Sequence, residues 1–287
     1  TISFLFWILS AVLVSQTGKK IQVWEFSKNP RFALLTAFLF VLVNVGLLTV
    51  MFVSVSRYAS ELTFANAVQA DRDGEGIDTV LAGLETATRL NKLSDIFARN
   101  LAHARLLKVG QELQNEAVNP ADLASLVQGS FTEAERAVQL SPNNVVNYSL
   151  LGDIFRELAP LASNADILAI QAYTQAIELS PSNPKYQVAL GRAYIARVDQ
   201  LAILLESEDE ELAGQAESAQ EESLTLAVTA FEKAVELKPD YASARYYLSL
   251  AFVRQGNLSD AIEGMESVAA VSPNDVGVAF QLGLLYL

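Results

Sequence analysis

The chain has 287 residues, 51% of them apolar, and a formal net charge of −13 at pH 7. It has no cysteine and one histidine, which excludes a disulfide scaffold, a thiolate nucleophile, and zinc–thiolate or His-rich metal sites. The acidic balance argues against nucleic acid as a partner, since phosphates call for Lys and Arg. The length is ample for a sizeable core and for about two domains.

The charge is divided along the chain. Residues 1–57 carry a net +4, from Lys19, Lys20, Lys28, Arg31 and Arg57 against Glu25, and residues 58–287 carry −17. Residues 1–15, TISFLFWILSAVLVS, are uncharged and have no basic n-region. They read as the tail of a membrane helix that begins upstream, not as a signal peptide. Residues 16–31 form a basic loop, and short Lys/Arg-rich loops stay cytoplasmic. Residues 32–56, FALLTAFLFVLVNVGLLTVMFVSVS, contain no charge. As a helix they span roughly 37 Å, enough for a ~30 Å hydrocarbon core. Asn44 and Gly46 are the soft spots, suited to face another helix. Two N-terminal transmembrane helices are expected, with everything after Arg57 outside the cytoplasmic membrane.

Residues 58–140 read as two degenerate helix pairs: Tyr58–Asp71 with Ile77–Leu90, then Leu93–Glu116 with Ala121–Leu140. Between the first two helices, Asp71, Asp73, Glu75 and Gly76 imitate the start of a calcium loop. Ala82 stands where the bidentate Glu is needed, so a tight turn is expected. His103 lies in a helical context and reads as a packing or surface residue. There is no GxSxG and no phosphate loop, so no cofactor or catalytic group is expected in this segment.

Residues 141–287 repeat. The windows AERAVQLSPNNV, AYTQAIELSPSNP, AFEKAVELKPDYA and MESVAAVSPNDV each carry a proline, at Pro142, Pro181, Pro239 and Pro273. Nine residues after each comes Leu151, Leu190, Leu248 or Leu282, then Gly152, Gly191, Ser249 or Gly283, and an aromatic three further on. Small residues let two antiparallel helices approach, and proline punctuates the connection. The proline spacings are 39, 58 and 34. The excess residues are expected as loops or helix extensions between a repeat's two helices. The largest excess holds the acidic insert 206–222, ESEDEELAGQAESAQEE, with no basic residue between Arg197 and Lys233. It reads as a solvated loop or helix extension, or as an appendage for a cation or basic partner.

The pattern resembles the tetratricopeptide repeat. Its positions are filled by Tyr148, Leu151, Gly152, Phe155, Ala169, Tyr173, Ala176 and Pro181. The next copy has Leu190, Gly191, Tyr194, Ala227, Phe231, Ala234 and Pro239. The one after has Leu248, Ser249, Phe252, Ala261, Met265, Val268 and Pro273. The resemblance implies an all-α solenoid of antiparallel helix pairs. It also implies a concave face, lined by the first helix of each pair, that binds a protein or peptide. By repeat position, the implied groove residues are Ser149, Asp153, Arg156, Lys185, Val188, Arg192, Tyr246, Leu250 and Arg254. The three arginines suit a carboxylate or acidic peptide. The Asn/Lys clamp of chaperone-binding members is not recognisable.

The membrane spans, the RYASELTFANA helix after them and the stretch PNDVGVAFQLGLLYL together resemble the C-terminal part of large bacterial multi-pass proteins. Those join an O-antigen ligase or polymerase-like membrane region to tetratricopeptide repeats. That resemblance implies residence in the inner bacterial membrane. It leaves two expectations for function. One is a membrane-anchored scaffold near surface-glycan assembly. The other is the accessory domain of a glycan-transferring enzyme, whose catalytic residues cannot be carried over onto this chain. FQLGLLYL is not a polar cap, so the repeats are expected to continue past Leu287.

Overall fold

Between Phe32 and Arg72 the sequence has no proline and one glycine, Gly46, so little interrupts a helix once it has begun. The structure, a computed structural model, describes residues 30–114, 119–205 and 209–287. In it a 43-residue helix, α1 (Pro30–Arg72), fills the whole stretch. From Ala33 this helix is long and apolar enough to cross a membrane by length and composition. Three polar side chains in its apolar stretch return to their own backbone. Asn44 Nδ2 donates to the Phe40 carbonyl, Thr49 Oγ1 to that of Val45 and Ser54 Oγ to that of Val50, each at 2.8 Å. Each such bond satisfies one donor without water or a partner helix.

One expectation changes here, and another falls outside the described residues. One helix of membrane-spanning type occurs among the described residues, where two are expected; residues 1–15 and nearly all of the 16–31 loop lie outside them. The break near Arg57 divides two compact units, between Val55 and Ser56, without ending the helix. Tyr58–Asp71 is therefore not a helix of its own.

From Ser56 onward the described residues contain helices and no strand. The end of α1 packs with α2 (Ile77–Leu90), and α3 (Asp95–Glu112) with α4 (Pro120–Leu140). Next come α5 (Val145–Glu157) with α6 (Ala165–Leu179), then α7 (Pro184–Leu204) with α8 (Glu210–Leu237). Last are α9 (Ala242–Arg254) with α10 (Leu258–Val271), followed by α11 (Val276–Leu285). The calcium-like run is a turn. Gly74 has φ +75°, its N–H donates to the Asp71 carbonyl at 3.2 Å, and Asp73 accepts from Gln69 Nε2 at 2.9 Å. No group of three or more His, Asp or Glu placed to hold a metal ion occurs among the described residues.

The connections are set by local chemistry. In each of the four turns that contain Pro142, Pro181, Pro239 and Pro273 the helix before it stops. In three of them an Asn or Asp caps the next one, whereas α9, after Pro239, has Tyr241 at its start and no side-chain cap. Asn144 accepts from the Val146 N–H at 3.1 Å, Asn183 from Lys185 at 3.1 Å and Asp275 from Gly277 at 2.9 Å. Such a cap contributes about 0.5–2 kcal/mol. Ser94, which has no proline near it, does the same for α3, accepting from Phe97 at 3.3 Å.

The pairs share one register. The second helices bury Val80, Leu84 and Ala87; Ser130, Ala134 and Ala137; Ala169, Tyr173 and Ala176; Ala227, Phe231 and Ala234; and Ala261, Met265 and Val268. In two of the pairs a glycine of the first helix lies against the middle residue. A Cβ on Gly152 would lie 2.7 Å from the Tyr173 ring, and one on Gly191 would lie 2.5 Å from the Phe231 ring. Ser249 takes the corresponding place in α9 and is buried. Neighbouring pairs then stack with the second helix of one on the first helix of the next, α4 on α5, α6 on α7 and α8 on α9. Successive first helices also approach one another, whereas among the described residues successive second helices make no comparable approach. The array thus curves with the first helices on its inner side.

The long proline spacing is resolved as helix. α7 has 21 residues and α8 has 28, against 13 and 14 in α9 and α10. Within the insert, 210–222 are the first turns of α8, and 206–208 lie outside the described residues.

Gly191→Leu drives side-chain atoms into the Phe231 ring, so it should lower stability by about 1–3 kcal/mol through overpacking. Gly214→Ala, in α8 with nothing within 4 Å of the new Cβ, should raise it by about 0.5–1 kcal/mol. Chemical denaturation of the full chain, followed by circular dichroism, checks both. An unchanged midpoint for Gly191→Leu would overturn the helix register.

Candidate functional site

The inner side of the array is built by α3, α5, α7 and α9. Three side-chain hydrogen bonds fix α3 against the start of α5. Asn147, buried near the start of α5, donates from Nδ2 to Asp95 Oδ2 at 3.0 Å and to the Ala137 carbonyl at 2.9 Å. Its Oδ1 accepts from Arg99 Nη1 at 3.0 Å. Asn144 Nδ2 also reaches Asp95 Oδ2, at 3.0 Å. Burial pushes the Asp95 carboxyl up, but hydrogen bonds from Asn147, Asn144 and Ser141 and the Arg99 charge outweigh it and hold it below its ordinary value. The apolar counterpart is one step earlier, where Phe64 of α1 stacks on Phe97 of α3 at 4.7 Å between centroids.

The structure sorts the groove residues expected from repeat position. Ser149 and Val188 are 6% and 5% exposed. They sit where one first helix meets its neighbours, so neither is available to a ligand. Asp153 and Arg156 are brought together: Tyr173 Oη donates to Asp153 Oδ1 at 2.6 Å and accepts from Arg156 Nε at 3.4 Å. Arg156 also pairs with Glu157 at 2.7 Å. Burial first, then the Asp153 charge, pushes the Tyr173 phenol well above its ordinary value, so it stays a donor to that carboxylate. Arg254 is paired with Asp199. Lys185 is exposed, and Tyr246 and Leu250 are half-buried.

Arg192 differs from the other two arginines. Its guanidinium lies 5.0 Å over the centre of the Tyr247 ring, which itself stacks on Phe231 at 5.8 Å. No carboxylate pairs with Arg192 among the described residues. A ring face holds a cation in place by about 0.5–1 kcal/mol and leaves its charge uncancelled.

His103 was missed as an inner-face residue. It is exposed and lines a cavity of about 770 Å³ between α3 and α5, with Leu107, Gln111, Asp153 and Arg156. The missing signal is register: His103 stands eight residues after the start of α3, as Asp153, Arg192 and Leu250 do in α5, α7 and α9.

A tetratricopeptide repeat family model matches residues 212–275, most of α8 with α9, α10 and the following turn. The chain is similar in structure to a thermophilic TPR protein of Thermus thermophilus: 17% identity, 79% of this chain and 98% of that one, TM-score 0.53. It is similar also to MamA, residue 41 to the end, from Desulfovibrio magneticus: 18% identity, 76% and 97% coverage, TM-score 0.52. No curated protein matches the chain. The fold from Ser56 onward is thus that of a tetratricopeptide-repeat solenoid.

Folding lowers the pKa of Asp95, so the native state holds its proton less tightly than the unfolded chain does. The stability this provides is complete above the ordinary value of 3.8 and disappears as pH falls through the lower folded value. Asp95→Asn should therefore destabilise the solenoid near neutral pH, with a deficit that shrinks toward about pH 3. Urea titrations across that range check this; a pH-independent deficit would show that the carboxylate's charge is not what holds α3 to α5.

Proposed function

We propose that this chain is a membrane-anchored helical-repeat scaffold whose concave face holds a carboxylate-bearing segment of a partner protein outside the cytoplasmic membrane. The observation that carries the binding reading is Arg192. It is held by the Tyr247 ring, without a carboxylate of its own among the described residues, on the inner face of a domain that is otherwise acidic. Lys185 lies on the same helix, and Tyr246 and Leu250 offer partly exposed apolar surface on the next first helix. An extended acidic segment meets both needs: charge-assisted hydrogen bonds to the guanidinium and apolar contact beside it.

The anchor in this reading is α1, by its length and composition. The outward placement follows from the basic loop at 16–31. The link to surface-glycan assembly rests on the resemblance to O-antigen ligase-like proteins. A surface-glycan profile unchanged on deletion of the coding sequence would remove that link.

The binding test uses the full chain in phosphatidylcholine nanodiscs and a fluorescent peptide ending in acidic residues, with its Gln-substituted twin as control. The acidic peptide should bind, more weakly as salt rises, and Arg192→Glu should reduce affinity about tenfold or more. Equal binding of the neutral twin, or unchanged affinity in Arg192→Glu, would sink the reading. A reporter fused after Leu287 should be active outside the cytoplasmic membrane; activity inside would reverse the topology.

A further inference from the structure

The lengthened α7–α8 hairpin is not required by repeat packing. Its neighbours α5, α6, α9 and α10 have 13, 15, 13 and 14 residues, so the end of α7 and the first turns of α8 run beyond them. A purely solvated extension would be polar on its exposed sides. Here Ile203 is 66% exposed, and Leu204, Leu205 and Leu212 are exposed as well. Apolar side chains gathered at a protruding tip mark an interaction surface.

Beside this tip, a groove of about 860 Å³ opens between the hairpin and the turn that joins α9 to α10. Val198, Ala202 and Leu224 give it an apolar lining, and Glu217 and Glu221 add two carboxylates. Its lone arginine, Arg254, is already neutralised by Asp199. No cation pairs with Glu217 or Glu221 among the described residues, and no basic residue occurs between Arg197 and Lys233. The groove therefore combines apolar contact area with uncompensated negative charge.

We propose that this groove, with the end of α7 and the first turns of α8 beside it, forms a second docking site, distinct from the concave face, for an amphipathic basic segment of a partner protein. Its apolar side packs on Ala202 and Leu224 in the groove and continues onto Ile203 at the exposed end of α7, and its Lys or Arg side chains meet Glu217 and Glu221. The occupant follows from charge complementarity. An acidic segment would set like charges together, and a purely polar basic one would leave the apolar tip in water.

The full chain in phosphatidylcholine nanodiscs is titrated with three labelled peptides of equal length: a helical Lys/Leu amphipath, its Glu/Leu counterpart and a Lys/Ser chain. Binding to empty nanodiscs is subtracted. The Lys/Leu peptide should bind at least about tenfold more tightly than the other two. Glu217→Lys with Glu221→Lys should weaken it about tenfold, and Ile203→Ser with Leu212→Ser should weaken it also, with helicity unchanged in both variants. Glu217→Gln with Glu221→Gln, a milder change at the same exposed positions, should give an intermediate loss. Equal binding of the Glu/Leu or Lys/Ser peptide would overturn the proposal, as would unchanged affinity in the Lys variant. Because this probe is cationic and the concave-face probe anionic, failure of one reading is separable from failure of the other.

Discussion

In two successive helix pairs, a glycine on the first helix meets a buried aromatic ring on the second. Gly152 lies against Tyr173, and Gly191 against Phe231. The ring occupies the volume a Cβ would need, so the distance between the two helices is decided at that point. The surrounding alanines, Ala169 and Ala176 or Ala227 and Ala234, keep the same close approach one turn to either side. A pair built this way still has an apolar face exposed, which it covers by stacking on the next pair. Each second helix packs on the first helix of the next pair, and successive first helices approach while successive second helices do not, so the array bends and the inner sides of the first helices become one surface. The residues available to a ligand are those left over once both contacts are made. Asp153, Arg192 and Leu250 recur at one position for that reason, and Ser149 and Val188 are consumed.

The repeats after residue 140 were legible because proline, the Leu-Gly or Leu-Ser step and the aromatic that follows are strong local signals. The pair before them keeps the same register with weaker residues. Phe97, Leu101, Ala102 and Arg105 of α3 occupy the places that Asn147, Leu151, Gly152 and Phe155 occupy in α5. Without a proline or a glycine to align them, they do not announce a repeat. The continuity of α1 across Arg57 was hidden for the opposite reason. A change in composition suggests a boundary, but helices end at breakers and caps, and neither occurs there.

The site was less legible than the fold because its properties are not local. Asp153 and Arg156 meet at Tyr173, and their state depends on that residue, 20 and 17 positions away. Asp199 neutralises Arg254 from 55 residues away. Three arginines that look equivalent in sequence therefore differ. A carboxylate arriving at Arg156 must displace Glu157 and Asp153, and at Arg254 it must displace Asp199. At Arg192 it displaces nothing charged, because a ring face orients a guanidinium without cancelling it.

The same reasoning explains why a long insertion is tolerated between Gly191 and Phe231. The proline spacing there exceeds the 34-residue period by 24 residues, yet the Gly191–Phe231 contact is as close as the Gly152–Tyr173 contact in a pair with a far shorter insertion. Residues added at the end of one helix and the start of its antiparallel partner lengthen both beyond the last shared contact. The additional turns of α7 and α8 need only satisfy each other, as when Gln220 Nε2 donates to the Val198 carbonyl at 3.1 Å. Their outer sides carry no obligation to the repeat. Exposed leucines and unpaired carboxylates at such an end are therefore not remnants of solenoid packing, and a role for them has to be sought in what meets the hairpin from outside.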